Sequence, residues 1–600
     1  MKRNVKFAML ALSLLLAVAV GAVAPMLASG ALKGAEVALA ESEEYNEIEI
    51  IDGEGVEMQP TAEDRYELIC TAEDAAPITM PSIFANGMVF QRGKTINVFG
   101  FTDDLEAEFK VTLGEREGVA AVDESGRFYA ELDAIDEPTW NLTLKIEQTN
   151  TDAENMVVIS NVAVGEVWVI SGQSNAQLQT GYLEDVEEQA LLADSLKNVR
   201  AYRANPSFSL HPDNIGSGSW ITNIKASTVR GTGSTALSAV GYVAVARLAE
   251  EFGPDMPVAL IHVARGASKI KTWLDYESLR ELSPSEADKY DECVENGALV
   301  ENAHTQIGTC LYNKQIAPLE GYEVAGVMWY QGCGDANGVA LGIEGTSYTR
   351  YFTALERVYR RVFGEDGELP FYVMELAPYT EDSAESASVL AEFKAEQYAF
   401  CRDLPNTYLV SNMTDGGVWG ESLFSQGYIH PGRKSTIGMR AAELILVNSY
   451  GYDLGEAYTN PNPVSAVVSG NSVVITFDTE IKLFFGNTAV GFELRVGKSW
   501  VSANAVIEGK TITLTAANGG TPTAVRYGHS AIVAELQDGT MIEFLSGAVK
   551  INKEEKTLTF TKNGQTYVIS DATGNIRSID YGNVTNASGI PLPVFTLQLV

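Results

Sequence analysis

The chain has 600 residues, 46% of them hydrophobic and 20% charged, with a formal net charge of -37. Such a length is a prior for roughly three or four domains and is ample for a large core. The excess of acidic over basic side chains excludes nucleic acid as a partner, because phosphate binding needs basic surface, and argues against adhesion to anionic membranes.

In chain order, Lys2, Arg3 and Lys6 precede an apolar run, Phe7 to Ala24, followed by small residues. This reads as an export signal cleaved after Ala40, which predicts a secreted or cell-surface protein. The alternative is an uncleaved N-terminal anchor, since the run is near the lower length limit of a membrane span. Residues 41–79 are acidic and weakly patterned, as in a linker. From Met80 short alternating strands such as INVFGF, FKVTLG and FYAEL predict an N-terminal β-domain over 80–163.

Residues 164–457 change texture. The stretch VGEVWVISGQSNAQ (164–177) is an apolar run that stops at a Ser-Gly-Gln-Ser-Asn turn. It predicts a buried strand delivering Ser174 to its carboxyl end. A helical pattern over 238–252 leads to an apolar strand ending at Arg265-Gly266. Further strands over 324–330, 371–376 and 408–412 end at Gln331-Gly332-Cys333-Gly334-Asp335, at Ala377-Pro378-Tyr379 and at Met413-Thr414-Asp415. A loop with His430 and a helix over 435–447 close the segment. Strands alternating with helices predict an α/β fold with a parallel sheet covered on both faces, and ligands bind beyond the carboxyl ends of such strands. After about residue 458 strands return, predicting a C-terminal β-sandwich-like domain with hairpins over 532–579 and a tight turn at Asn563-Gly564.

Five scattered cysteines (Cys70, Cys293, Cys310, Cys333, Cys401) form neither a disulfide framework nor a zinc site; Cys293 with Cys310 is the one pairing entertained. No metal-ligand spacing or phosphate-cradling loop occurs, so no cofactor is expected. The histidines are His211, His262, His304, His430 and His529. His262 lies mid-strand and reads as a satisfied core residue, whereas His430 follows a strand on the expected active edge.

Several of these segments together resemble the sialate O-acetylesterases, carbohydrate esterases of the SGNH hydrolase superfamily. GEVWVISGQSN is similar to the nucleophile block of that family and ARGASKIKTWL to its second block. LYNKQIAPL with GVMWYQG resembles the third, IHPGRKSTIGMRAAE the histidine block, and MPSIFANGMVFQR and GNVTNASGIPLPVF the entry and closing segments. The resemblance implies an SGNH-hydrolase-like three-layer domain flanked by β-domains. It implies an acetylated sugar or glycan as substrate, with sialic acid esters first and acetylxylan or other glycans second. Ser174 is then the nucleophile and His430 the base, passing through an acetyl-enzyme. The expected oxyanion donors are the backbone N–H groups of Ser174 and Gly266 and the Gln331 side-chain amide.

The chain departs from the family pattern at Cys333 and Gly334, at Gly427 and Tyr428, and at Arg265 and Ala267. An acid partner for His430 is therefore sought among Asp415, Asp335 and Glu421, with a Ser-His dyad as the alternative. Arg265 is a candidate for a substrate carboxylate, with a salt bridge as its ordinary alternative. Trp168, Trp273, Trp329 and Tyr330 are candidate sugar-stacking rings, the strand-borne Trp168 and Trp329 reading as core. A glycan-binding protein with a degenerate esterase domain is the competing reading from another class.

Overall fold

A computed structural model describes most of residues 65–599; outside it lie 1–64, 72–75, 234–235, 298–306, 341–346, 365–367, 378–383, 413–428, 432, 456–457, 485, 530–531, 537–540, 545–549, 553, 563–564, 571–575, 581 and 600. The expected signal or anchor, His304, Asp415, Glu421 and the Asn563-Gly564 turn thus fall outside the described residues, as do 41–64 of the expected acidic linker; its described part is not a linker, because Glu67–Cys70 is a strand paired with Asn155–Val158 and Thr79 bridges to Phe101.

The organising element is strand β1, Asn155–Gly172, 18 residues of mostly β-branched and apolar side chains. Its first part alternates buried and partly exposed residues, while everything from Val162 to Gly172 is buried. That switch has a physical cause. The first part pairs antiparallel with Thr139–Gln148 and Glu67–Cys70, leaving one face near solvent. The second part lies between parallel neighbours in a sheet buried on both faces. The boundary expected between residues 163 and 164 therefore falls within one continuous strand, and the two regions share one mixed sheet of 12 strands.

After β1 come α1 (Ser174–Gln177), β2 (Val199–Ala204), β3 (Gly218–Ile221), α2 (Ala239–Phe252), β4 (Val258–Ala264) and β5 (Gly326–Tyr330). Then follow α3 (Cys333–Ala340), α4 (Tyr348–Phe363), β6 (Phe371–Met374), α5 (Ala384–Asp403), β7 (Thr407–Val410) and α6 (Lys434–Tyr450). The sheet order is β3-β2-β4-β1-β5-β6-β7, parallel throughout except for the β3–β2 edge pair. The strands and helices expected from periodicity are present, each within a few residues of its predicted limits.

The chain leaves β1 toward β2 and β4 on one side and later crosses to β5 on the other. Strand order thus reverses at β1, and the crevice beyond its carboxyl end is where an open α/β sheet binds ligands. Ala264 and Tyr330 both pair with Gly172, so β4, β1 and β5 end level.

Helices α2 and α6 cover one face of the sheet. A methyl group on Gly241 of α2 would lie 2.8 Å from the Ile170 side chain, and Tyr450 of α6 accepts a hydrogen bond from the Trp168 indole. The opposite face carries α4, whose Tyr359 hydroxyl meets Ser171 at 2.9 Å and whose rings pack with Trp329 and Phe371. The capping is local: the Ser238 hydroxyl accepts from Gly241 N–H at the start of α2.

Beyond residue 460, strands from Pro463–Ser469 to Phe595–Gln598 form a seven-stranded antiparallel sheet. The strands described between residues 532 and 580 form two separate three-stranded antiparallel sheets. The closing segment returns to the parallel sheet, where Val594 N–H donates to the buried carboxylate of Glu375 and the Ser411 hydroxyl donates to the Pro591 carbonyl. All described residues belong to the unit Glu57–Val600.

Candidate active site

At the end of β1 the backbone must turn between two flanking strands. Gly172 does this at φ +135°, where a side chain would meet the Tyr330 carbonyl oxygen at 2.2 Å. Only glycine fits there. The chain then enters α1 with Ser174 as its first helical residue, partly exposed at the rim.

His430 Nε2 lies 2.8 Å from Ser174 Oγ, across 256 residues of sequence. This is hydrogen-bond distance for a base taking a proton from the hydroxyl. The two residues singled out as nucleophile and base thus meet at the carboxyl edge of the central strand.

The polar residues around Ser174 each tie it to a neighbouring segment. The Gln173 amide oxygen accepts from Gly332 N–H at 2.9 Å and Gly334 N–H at 3.3 Å, fastening the turn after β5 to the nucleophile turn. Asn175 donates to the Ile429 carbonyl at 3.0 Å and accepts from Lys434 Nζ at 2.5 Å. Gln177 Oε1 accepts from Gly266 N–H at 2.6 Å. None of Gln173, Asn175, Gln177 or Lys434 was singled out in the sequence. A polar run in a turn reads as solvated loop, and lysine is rarely buried, so nothing local marks Lys434 as 1% exposed.

The expected oxyanion donors divide. Ser174 N–H, at the first position of α1, has no intrahelical acceptor and stays near the hydroxyl. Gly266 lies beside Ser174, 3.8 Å from a would-be methyl to Ser174 Cβ, but its N–H is held by Gln177. Gln331 differs from expectation. It is fully buried, its amide nitrogen donates to Ser268 O at 3.0 Å and to the Asp335 carboxylate, and its amide oxygen accepts from Tyr348 OH at 2.7 Å. With both N–H groups committed, Gln331 serves as an internal brace in this geometry.

Asp335 accepts from Gln331 and from Ile270 N–H at 3.0 Å, and burial raises its pKa above the usual carboxylate value. Its described hydrogen bonds brace the turns after β4 and β5 and do not include His430. Arg265 donates to the Pro206 carbonyl at 3.2 Å, while its Nε is buried with no hydrogen-bond partner. The salt bridge offered as its ordinary alternative is not among the ion pairs of the described residues. Next to it, Ala267 holds φ +56°, a left-handed backbone for a non-glycine residue.

The candidate stacking rings are core residues. Trp168, Trp273, Trp329 and Tyr330 are all fully buried. Trp273 donates to Ser268 Oγ, Trp329 donates to Tyr348 OH, and the Tyr330 hydroxyl accepts from Asn412. His262 is buried as expected but not satisfied, since neither ring nitrogen has a partner. Burial pushes its pKa down to about 3. His529 meets Thr596 Oγ1 at 3.2 Å, and burial likewise lowers it to about 3. None of the five cysteines is in a disulfide, so the Cys293–Cys310 bridge is not formed.

Residues 164–416 match a protein family described as carbohydrate esterase, sialic acid-specific acetylesterase. Mouse sialate O-acetylesterase is 22% identical over 362 residues, covering 54% of this chain and 64% of the mouse protein. The chain thus spans somewhat less than two thirds of the length of that relative. Among solved structures, a carbohydrate acetylesterase from Xanthomonas citri superposes with a TM-score of 0.64 at 23% identity, over 87% of this chain and all of the other. That likeness shows the fold. The matched family region contains Ser174 and ends before His430, so geometry brings the histidine to the site independently.

Proposed function

Proceeding from the acetylesterase match over residues 164–416, we propose that this protein is a hydrolase removing acetyl esters from sugars. The observation that carries the reading is the 2.8 Å contact between Ser174 Oγ and His430 Nε2 at the strand-order reversal. A hydroxyl is a weak nucleophile at neutral pH, so His430 takes its proton as Oγ attacks the acetyl carbonyl carbon. Charge collecting on the carbonyl oxygen faces the free N–H at the start of α1. Gly266 N–H joins it when Gln177 releases the bond. The imidazolium then protonates the departing sugar oxygen, leaving acetyl-Ser174. Water deprotonated by His430 attacks that ester, and acetate leaves as the proton returns to Ser174.

We read the parallel sheet as an SGNH-type three-layer domain and the regions 80–163 and 458–600 as appended β-domains suited to extended glycans. Sialic acid esters are the favoured substrates, supported by the similarity to a sialate O-acetylesterase and by Arg265, a partly exposed cation on the turn after β4. Acetylated xylan is the second choice. Export is supported by the basic and then apolar N-terminus.

The test is acetate release from O-acetylated sialic acids, acetyl-xylo-oligosaccharides and a small aryl acetate. Wild type is expected to hydrolyse them and Ser174→Ala to lose the activity. Equal rates in the two proteins would favour a glycan-binding module with a degenerate site instead.

A further inference from the structure

The loop bearing His430 reaches the nucleophile from the far end of the catalytic region, and Asn175 sits at the junction. Asn175 is fully buried, and its amide is used at both ends. The Nδ2 donates to the carbonyl of Ile429, the residue before His430, while Oδ1 accepts from Lys434 Nζ. Lys434 opens α6, is itself buried, and holds its ammonium 5.6 Å from the centre of the Tyr330 ring at the end of β5. A primary amide has a donor end and an acceptor end, and rotating it by half a turn exchanges them. Here such a rotation would set amide hydrogens against an ammonium and an amide oxygen against a carbonyl. The lysine thus selects the one orientation in which Asn175 donates to Ile429.

We propose that Asn175 and Lys434 form a positioning pair that sets the reach of His430 to Ser174. Asn175 follows the nucleophile directly in sequence, and Ile429 directly precedes the base. One hydrogen bond between them therefore couples the position of the Ser174 hydroxyl to that of the imidazole. Lys434 acts through Asn175, not on substrate. A misplacement of about 1 Å between reacting groups costs on the order of 10²-fold in rate, so the pair should govern kcat with little effect on binding. This inference rests on the Ser174–His430 esterase reading.

The test uses the full chain and a small aryl acetate, with release of the aryl alcohol followed at saturation. Wild type against Ser174→Ala first establishes the esterase reading; if both are equally inert, that reading fails and this one falls with it. Given activity, Asn175→Asp keeps the shape and the oxygen facing Lys434 but replaces the donor to Ile429 with a second oxygen. It is expected to fold, with melting behaviour near wild type, and to lose about 10–100-fold in kcat with KM changed less than about threefold. Lys434→Met is expected to lose about tenfold in kcat, and Lys434→Arg to restore part of that. The combination Asn175→Asp with Lys434→Met should be no slower than Asn175→Asp alone, because the effect of the lysine on His430 runs through the amide. Wild-type kcat in a folded Asn175→Asp protein would overturn the proposal. So would losses that multiply in the double variant, which would mean independent roles.

Discussion

At the residue scale, the site consists of the proposed Ser174–His430 pair inside a frame of amides. Ser174 and His430 make the contact that supports chemistry, while Gln173, Asn175 and Gln177 each fasten the nucleophile turn to a different segment. Arg265 is the proposed specificity residue. Its Nε is buried without a hydrogen-bond partner and one terminal nitrogen donates to the Pro206 carbonyl, while the residue as a whole is partly exposed at the end of β4. Charge-assisted hydrogen bonds contribute about 1.5–3 kcal/mol. Arg265→Ala is therefore expected to lower kcat/KM for an acetylated sugar acid about tenfold more than for a neutral acetylated sugar, measured as competing acetate release. An equal loss on both would assign Arg265 to the fold of the turn. Ser174 and His430 were legible because the nucleophile and histidine segments carry specific residue patterns. Asn175 and Lys434 were not, since a buried lysine has no local signature and its partner is 259 positions away.

At the element scale, two helices come close to their neighbours through glycine. Gly241 lets α2 rest against Ile170 of β1 and Leu260 of β4. Gly438 lets α6 approach α2, where a methyl group would lie 2.8 Å from both the Val240 carbonyl oxygen and Val243 Cβ. The obstacles include backbone, which cannot rotate aside. Gly438→Ala is thus expected to destabilise the protein by about 1–3 kcal/mol, the usual cost of overfilling a packed contact. Thermal or urea denaturation checks this, and an unchanged midpoint would mean that α6 has slack against α2. Elements themselves were readable from periodicity: the alternating strands of 108–113 and 127–132, the helix of 239–252 and the continuous apolar β4 all formed as expected, whereas Ile96–Phe101 is buried nearly throughout and does not alternate. The division at residue 163 was not, because composition changes there while β1 runs straight through.

At the scale of the whole molecule, buried ionisable groups set how stability responds to pH. His262, in β4, and His529, just past the strand Pro522–Tyr527 of the C-terminal sheet, are both held neutral by burial, each with a pKa lowered to about 3 from an ordinary 6.5. In the unfolded chain each regains its ordinary affinity for protons. Between about pH 6.5 and 3 the unfolded state therefore binds more protons, and stability falls as pH falls through that window. Above 6.5 the two histidines cost nothing in this respect. Urea midpoints measured at pH 7 and pH 5 should drop toward acid in wild type, and His262→Leu with His529→Leu should drop less. Parallel curves for the two proteins would show that other groups govern the acid limb.

By itself the sequence determined the alternation of strand and helix, the glycine-bearing turns at strand ends, and the serine and histidine that chemistry would need. These depend on periodicity and on residue types within short windows, so they survive without knowledge of contacts. The tertiary structure alone decided that Gln331 braces a turn, that Trp273 is core, and that Gln177 holds the N–H of Gly266. The direction of a side chain at a strand end depends on what the neighbouring strands bring to the same rim. That information lies in segments tens to hundreds of residues apart, and only folding puts them side by side.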